Sequence, residues 1–219
     1  MTRVLKNITF IAALIIATTI TPKPQNVRLP VITTRVKEFY FVRHGQTDQN
    51  IGKVTNFLLN VPLNKTGIEQ AHTLAPFIAQ LPIKTICYSP LLRAKTTTDI
   101  IATHIPHALK INIPQLREMR VKTWTPLSEL HTKKFNDLLP VMQKFVQRVA
   151  HGLKKALSKK EPVLIIAHGG VFKAICFLLK ITPESWVIDN CELVRFYKDN
   201  HNVWHIQKLQ TLRHPSAQN

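Results

Sequence analysis

The chain has 219 residues, enough for one sizeable α/β domain around a single core and too few for two domains of ordinary size. Its 30 Lys and Arg against 12 Asp and Glu give a net charge of +18, so its partners are expected to be anionic: nucleic acid, an anionic membrane surface or phosphorylated small molecules. Cys87, Cys176 and Cys191 sit among apolar neighbours without metal-ligand spacing, which reads as buried thiols and indicates neither a zinc site nor any other protein-bound metal.

Along the chain, Arg3 and Lys6 precede an apolar run from Ile8 to Ile20 that ends in small residues and a Pro-Lys-Pro break. That is the layout of a secretory signal, shorter than the roughly 20 residues of a membrane span. The expectation is a leader over residues 1–21 and an extracytoplasmic protein, periplasmic or secreted, with an uncleaved membrane anchor as the alternative. A Pro-rich linker (22–36) follows, then a domain over 37–210 and a tail over 211–219.

Within that domain, "EFYFV" (38–42), "TICY" (85–88), "LKINI" (109–113), "VLIIA" (163–167) and "LVRFY" (193–197) read as strands, and "NVWHIQKL" (202–209) closes a hairpin through Asp199-Asn200. Helices are expected over Thr66–Gln80, with Thr66 as cap and Glu69 completing a capping box, and over Leu91–His104. A third spans 141–160, where Val141, Phe145, Val149, Leu153 and Leu157 recur, and a fourth follows the Gly-Gly turn at 169–170. Strands alternating with helices predict a single-domain α/β/α sandwich with a mostly parallel sheet. The densest basic cluster, Lys154, Lys155, Lys159 and Lys160, carries no interleaved aromatic residues for base stacking, which disfavours nucleic acid and leaves an anionic membrane surface open. Oligomeric state is not readable.

Two strands end in the same way. "EFYFVRHG" and "VLIIAHGG" each pass from buried residues into a histidine and then glycine. Ligands of open α/β sheets bind beyond the carboxyl ends of strands, so His44 and His168 converge on one crevice if their strands are neighbours. At Gly169 the following helix offers free N–H groups, an anion site. Arg43 and Arg93, the latter at a second strand-to-helix junction in "YSPLLRAKTT", can clamp phosphoryl oxygens bidentately. Asn50 and Glu118 belong to the same set. Thr47 and Ser89 either touch phosphate or cap turns, and Lys53 and Lys173 lie near the pocket motifs.

In order, "RHGQTDQN", "VPLNKTGIEQA", "YSPLLRAKTT", "LREM" and "LIIAHGG" resemble the histidine phosphatase superfamily, also called the phosphoglycerate mutase-like family, over roughly residues 37–197. The resemblance implies a phosphoglycerate mutase-like fold and a phosphorylated small-molecule substrate. It implies His44 as the nucleophile that becomes phosphorylated, Arg43, Arg93 and His168 as the rest of the phosphate pocket, Asn50 as a phosphate contact and Glu118 as proton donor, with no cofactor. Thr47 after Gln46 and Gly169 after His168 resemble the mutase and small-phosphatase branch. Of the family's Trp-Glu-Gly near-repeat after the acid only Trp124 is present. The expected activity is a phosphomonoesterase; the alternatives are a mutase-type phosphotransferase and a non-catalytic module that binds phosphorylated ligands. The short interval from Glu118 to His168 leaves no room for a long lid and favours hydrolysis.

Overall fold

The computed structural model describes residues 28–56, 60–119, 130 and 132–210. The expected leader, the first part of the Pro-rich linker (22–27), Trp124 and the tail lie outside the described residues.

Six strands form one sheet: β1 (Glu38–Arg43), β2 (Thr85–Tyr88), β3 (Leu109–Asn112), β4 (Val163–Ala167), β5 (Leu193–Lys198) and β6 (Trp204–Gln210). Their order is β3-β2-β4-β1-β5-β6; the first four are parallel, and β5 and β6 run antiparallel at one side. Strands covered on both faces read as continuous apolar runs, and every residue of β4 is buried. Side chains of β1 alternate between two cores. Phe39 and Phe41 join Val163 and Ile165 under one pair of helices, while Tyr40 and Val42 join Leu164 and Ile166 under the other. The first pair is α3 (Pro140–Leu157) and α4 (Gly169–Leu179); the second is α1 (Lys65–Ala79) and α2 (Leu92–Ala102). This is the α/β/α sandwich. No described helix is long and apolar enough to cross a membrane.

Several expectations need correction. The cap of α1 is Asn64, whose side chain accepts from the Gly67 N–H at 2.9 Å, rather than Thr66. Asn64 prevails because its Nδ2 also reaches Gln46 and Asp48 of the loop after β1, a tie that a threonine cannot make. The hairpin between β5 and β6 is longer than Asp199-Asn200: the Asp199 N–H donates to the Val203 carbonyl, and Asn202 takes a positive φ of 59°. Val141 is exposed while Phe145, Val149, Leu153 and Leu157 are buried, as a four-residue period drifting round a helix requires. The end of the linker is part of the domain, since Val36 is buried and Leu29 and Ile32 pack on the core. All three cysteines are free and buried, and burial pushes the Cys87 and Cys191 thiols up to about 12.

One close backbone approach fixes the loop that leaves β1. A Cβ on Gly45 or on Gly67 would overlap main-chain atoms of the other segment: the carbonyl of Gly67 in one case, that of Gln46 in the other. The first turn of α1 therefore lies directly on the Gly45-Gln46 backbone, where the Gln46 N–H donates to Gln70 Oε1 at 2.9 Å. Neither backbone can retreat cheaply. Gly67→Ala is expected to lower the free energy of unfolding by about 1–3 kcal/mol, measured by urea denaturation; an unchanged midpoint would show that the two segments do not touch.

Candidate active site

The two histidine turns meet because β1 and β4 pair in parallel with Arg43 opposite Ala167, so that His44 and His168 leave their strands at matching positions. The His44 N–H donates to the Ala167 carbonyl at 3.0 Å, and the two rings stand edge to face at 5.1 Å. On the other side of β4, the Ser89 N–H donates to the Ile166 carbonyl, and Ser89 Oγ lies 2.7 Å from His168 Nε2. Arg93 enters from the first turn of α2 and Glu118 from the segment after β3.

His44 Nδ1 lies 2.7 Å from the Gly45 carbonyl, an acceptor, so Nδ1 carries the proton and Nε2 keeps its lone pair. Arg93 Nε donates to that Nε2 at 3.1 Å. Burial, followed by the charges of Arg93 and Arg43, holds the His44 pKa well below the ordinary imidazole value, and burial and Arg93 do the same to His168. Both rings are neutral at neutral pH. Arg43 donates from Nη1 to the Ile188 carbonyl at 2.7 Å, while its Nε, beside Gly169, is buried without a partner among the described residues. A buried guanidinium N–H without a partner is a donor available to an anionic oxygen.

Glu118 is the acid among these cations. Its Oε1 accepts from the Met119 N–H and its Oε2 from the Gly170 N–H, each at 2.9 Å. Burial nevertheless dominates, outweighing these bonds and the two arginines, and raises its pKa above the ordinary carboxylate value. The helix terminus read as an anion site thus already holds an anion, the carboxylate of Glu118.

Asn50 is oriented by its neighbours. Its Oδ1 accepts from the Thr47 N–H and Thr47 Oγ1, both at 3.0 Å, and from Asn190 Nδ2 at 3.2 Å, which leaves its own NH₂ for the cavity that it lines. Thr47 is fully buried, does not line that cavity, and spends its hydroxyl on Asn50. Asn190 was not singled out by the sequence, yet it also donates to the His44 carbonyl at 2.8 Å, while the next residue, Cys191, donates its N–H to the Arg43 carbonyl. Lys173, Gln49 and Trp186 complete the wall of a cavity of about 180 Å³, and Lys53 is not part of it.

The model of the histidine phosphatase superfamily, branch 1, matches residues 39–211. The chain belongs to this superfamily. An uncharacterized phosphatase of Bacillus subtilis, PhoE, is 30% identical over 80% of this chain and 95% of its own length. A metal-independent phosphoserine phosphatase of Arabidopsis thaliana is 29% identical over 70% of this chain and 72% of its own length. A mutant phosphoserine phosphatase of Entamoeba histolytica, solved in complex with phosphoserine, superposes with a TM-score of 0.61 over 79% of this chain and 96% of that one; at 20% identity it speaks for the fold. Phosphatase chemistry through a phosphohistidine is general to the superfamily, and this chain is a phosphatase of that type.

The orientation of Asn50 is testable in this superfamily setting. Asn50→Ala removes a donor to the phosphate and is expected to lower kcat/KM for p-nitrophenyl phosphate about tenfold. Asn50→Asp keeps the Oδ1 acceptor but turns a second oxygen on the anion, and should cost at least about another tenfold by like-charge repulsion. Equal losses in steady-state assays of the two variants would mean that the amide does not face the substrate.

Proposed function

We propose that the chain is a phosphomonoesterase that hydrolyses small phosphate esters through a phosphohistidine on His44. The observation that carries this reading is a neutral imidazole with its Nε2 lone pair directed at Arg93, in a cavity walled by Arg43, Asn50 and Glu118. Substrate phosphoryl oxygens take over the Arg93 N–H groups and the unpaired Arg43 Nε, which frees the His44 lone pair for in-line attack. The Nε2–P bond forms, the ester P–O bond breaks, and Glu118 delivers its proton to the departing alkoxide. In the second half the same carboxylate takes a proton from water, the water oxygen attacks phosphorus, the N–P bond breaks and inorganic phosphate leaves. His168, neutral and tied to Ser89, is fully buried and does not line the cavity; it packs edge to face on the His44 ring and so holds the nucleophile in place.

Substrate binding also primes the acid. A phosphoryl oxygen at the α4 terminus competes with Glu118 Oε2 for the Gly170 N–H, the strongest of the contacts that favour the carboxylate form. Losing that bond beside a new negative charge drives Glu118 towards its protonated form, the form that the first step needs. The basic Arg3 and Lys6 with the apolar run to Ile20 support an extracytoplasmic setting for this activity.

The covalent intermediate is the decisive test. Rapid quenching with labelled substrate should trap an acid-labile, base-stable adduct on the peptide that contains His44. His44→Ala should give none while folding normally, because the bonds made by the His44 main chain do not use its ring. Glu118→Gln should lower turnover of alkyl phosphates by about 10²–10⁴-fold and, with p-nitrophenyl phosphate, whose leaving group needs no proton, should accumulate adduct. Label on another residue, or none during single turnovers that release product, would overturn the mechanism.

A further inference from the structure

The cavity has one wall that the phosphate chemistry does not use. Beyond Arg43, His44, Asn50, Arg93, Glu118 and Gly169 it is lined by Gln49, Lys173 and the Trp186–Ile188 segment. Lys173 lies four residues after Gly169, one turn into α4, on the helix whose N-terminus faces the phosphate position. It is half-buried and makes no hydrogen bond or ion pair with a described residue.

Charge balance gives this lysine a role. The charged side chains of the cavity wall are Arg43, Arg93, Lys173 and Glu118. With Glu118 protonated, as leaving-group protonation requires, the wall carries three positive charges. A phosphate ester dianion matches two of them, the arginines, and leaves Lys173 without a counter-charge. Asp189 and Glu192, which also act on Arg43, do not line the cavity. Burial already disfavours the Lys173 ammonium, and an uncompensated cation in a partly buried wall is costly.

We propose that Lys173 binds a single carboxylate on the alcohol portion of the substrate, so that the preferred substrates are small phosphomonoesters of hydroxy acids. One residual charge calls for one carboxylate; a second phosphate would bring two. Volume agrees, since about 180 Å³ is below the roughly 300–1,000 Å³ of sites for drug-sized ligands and fits a phosphate with a few further heavy atoms. The apolar Trp186–Ile188 segment accommodates the short carbon chain between the two anionic groups. This inference rests on the phosphomonoesterase reading.

Two substrates that differ only in the group concerned make the test. 3-Phosphoglycerate carries a carboxylate where glycerol 3-phosphate carries a hydroxymethyl group. The full chain should favour 3-phosphoglycerate in kcat/KM by at least about tenfold, the worth of one charge-assisted contact. Lys173→Met should bring the ratio to within about threefold of unity, with the loss in KM because the carboxylate contact is the same in the ground and transition states. Lys173→Arg should keep most of the preference, which separates a charge role from a packing role. A wild-type ratio near unity, or a Lys173→Met variant that slows both substrates equally, would overturn the inference and leave the phosphatase reading intact. If p-nitrophenyl phosphate, 3-phosphoglycerate and glycerol 3-phosphate are all inert, the phosphatase reading fails and the inference fails with it.

Discussion

An imidazole attacks phosphorus only while it is uncharged, and His44 is kept so by burial and by two guanidiniums that repel a proton from the ring. The same constraint sets its direction: with Nδ1–H given to the Gly45 carbonyl, only Nε2 has a lone pair to offer. A solvated histidine at the same strand end would be partly protonated near neutral pH and free to rotate. Burying the ring removes both problems, and the surroundings follow from having to bury it. His168 packs against it edge to face, the Asn190 amide and the Ala167 carbonyl satisfy its main chain, and Thr97 Oγ1 accepts from the next N–H, that of Gly45.

The arginines that keep the ring neutral also create a problem that only a substrate or a carboxylate resolves. Burial lowers the pKa of both guanidiniums, and the charge of Arg43 lowers that of Arg93 further. Glu118 is the internal counter-charge among them. Phosphate is a better one, being dianionic and able to meet both arginines in bidentate fashion. The unliganded site therefore holds itself in a compensated state, Arg93 on His44 and Glu118 on Gly170, in which each contact is one that the phosphate can replace.

Much of this was legible in the sequence because the chemistry sits where local patterns are strongest. A buried run that ends in His-Gly announces a strand end, and Arg43, His44, Arg93, Glu118 and His168 all come together as that pattern implies. What stayed illegible depends on distant pairing or on depth. Asn190 reaches His44 and Asn50 only because β5 lies antiparallel beside β1, and nothing local in "DNCELV" encodes that neighbour. Thr47 could equally touch phosphate or hold a turn; its complete burial behind Asn50 decides the matter, and burial of a single threonine in a loop has no periodicity to reveal it. Asn64 and Thr66 are both plausible caps by residue type. The choice is made by the loop after β1, which packs so closely on α1 that Gly67 has to be glycine.

A phosphate-binding module and a phosphatase need the same cations, so the arginines and the asparagine cannot tell them apart. Glu118 can. A carboxylate facing a bound phosphate costs affinity by repulsion, and burying it costs more, so a protein that had only to hold its ligand would gain by replacing it with a neutral donor. Here two backbone N–H groups hold the carboxylate form in place while burial raises the pKa and so brings the protonated form within easier reach than for a solvated glutamate. Those opposed influences serve a group which must give a proton in one half of a reaction and take one back in the other, and they serve binding not at all.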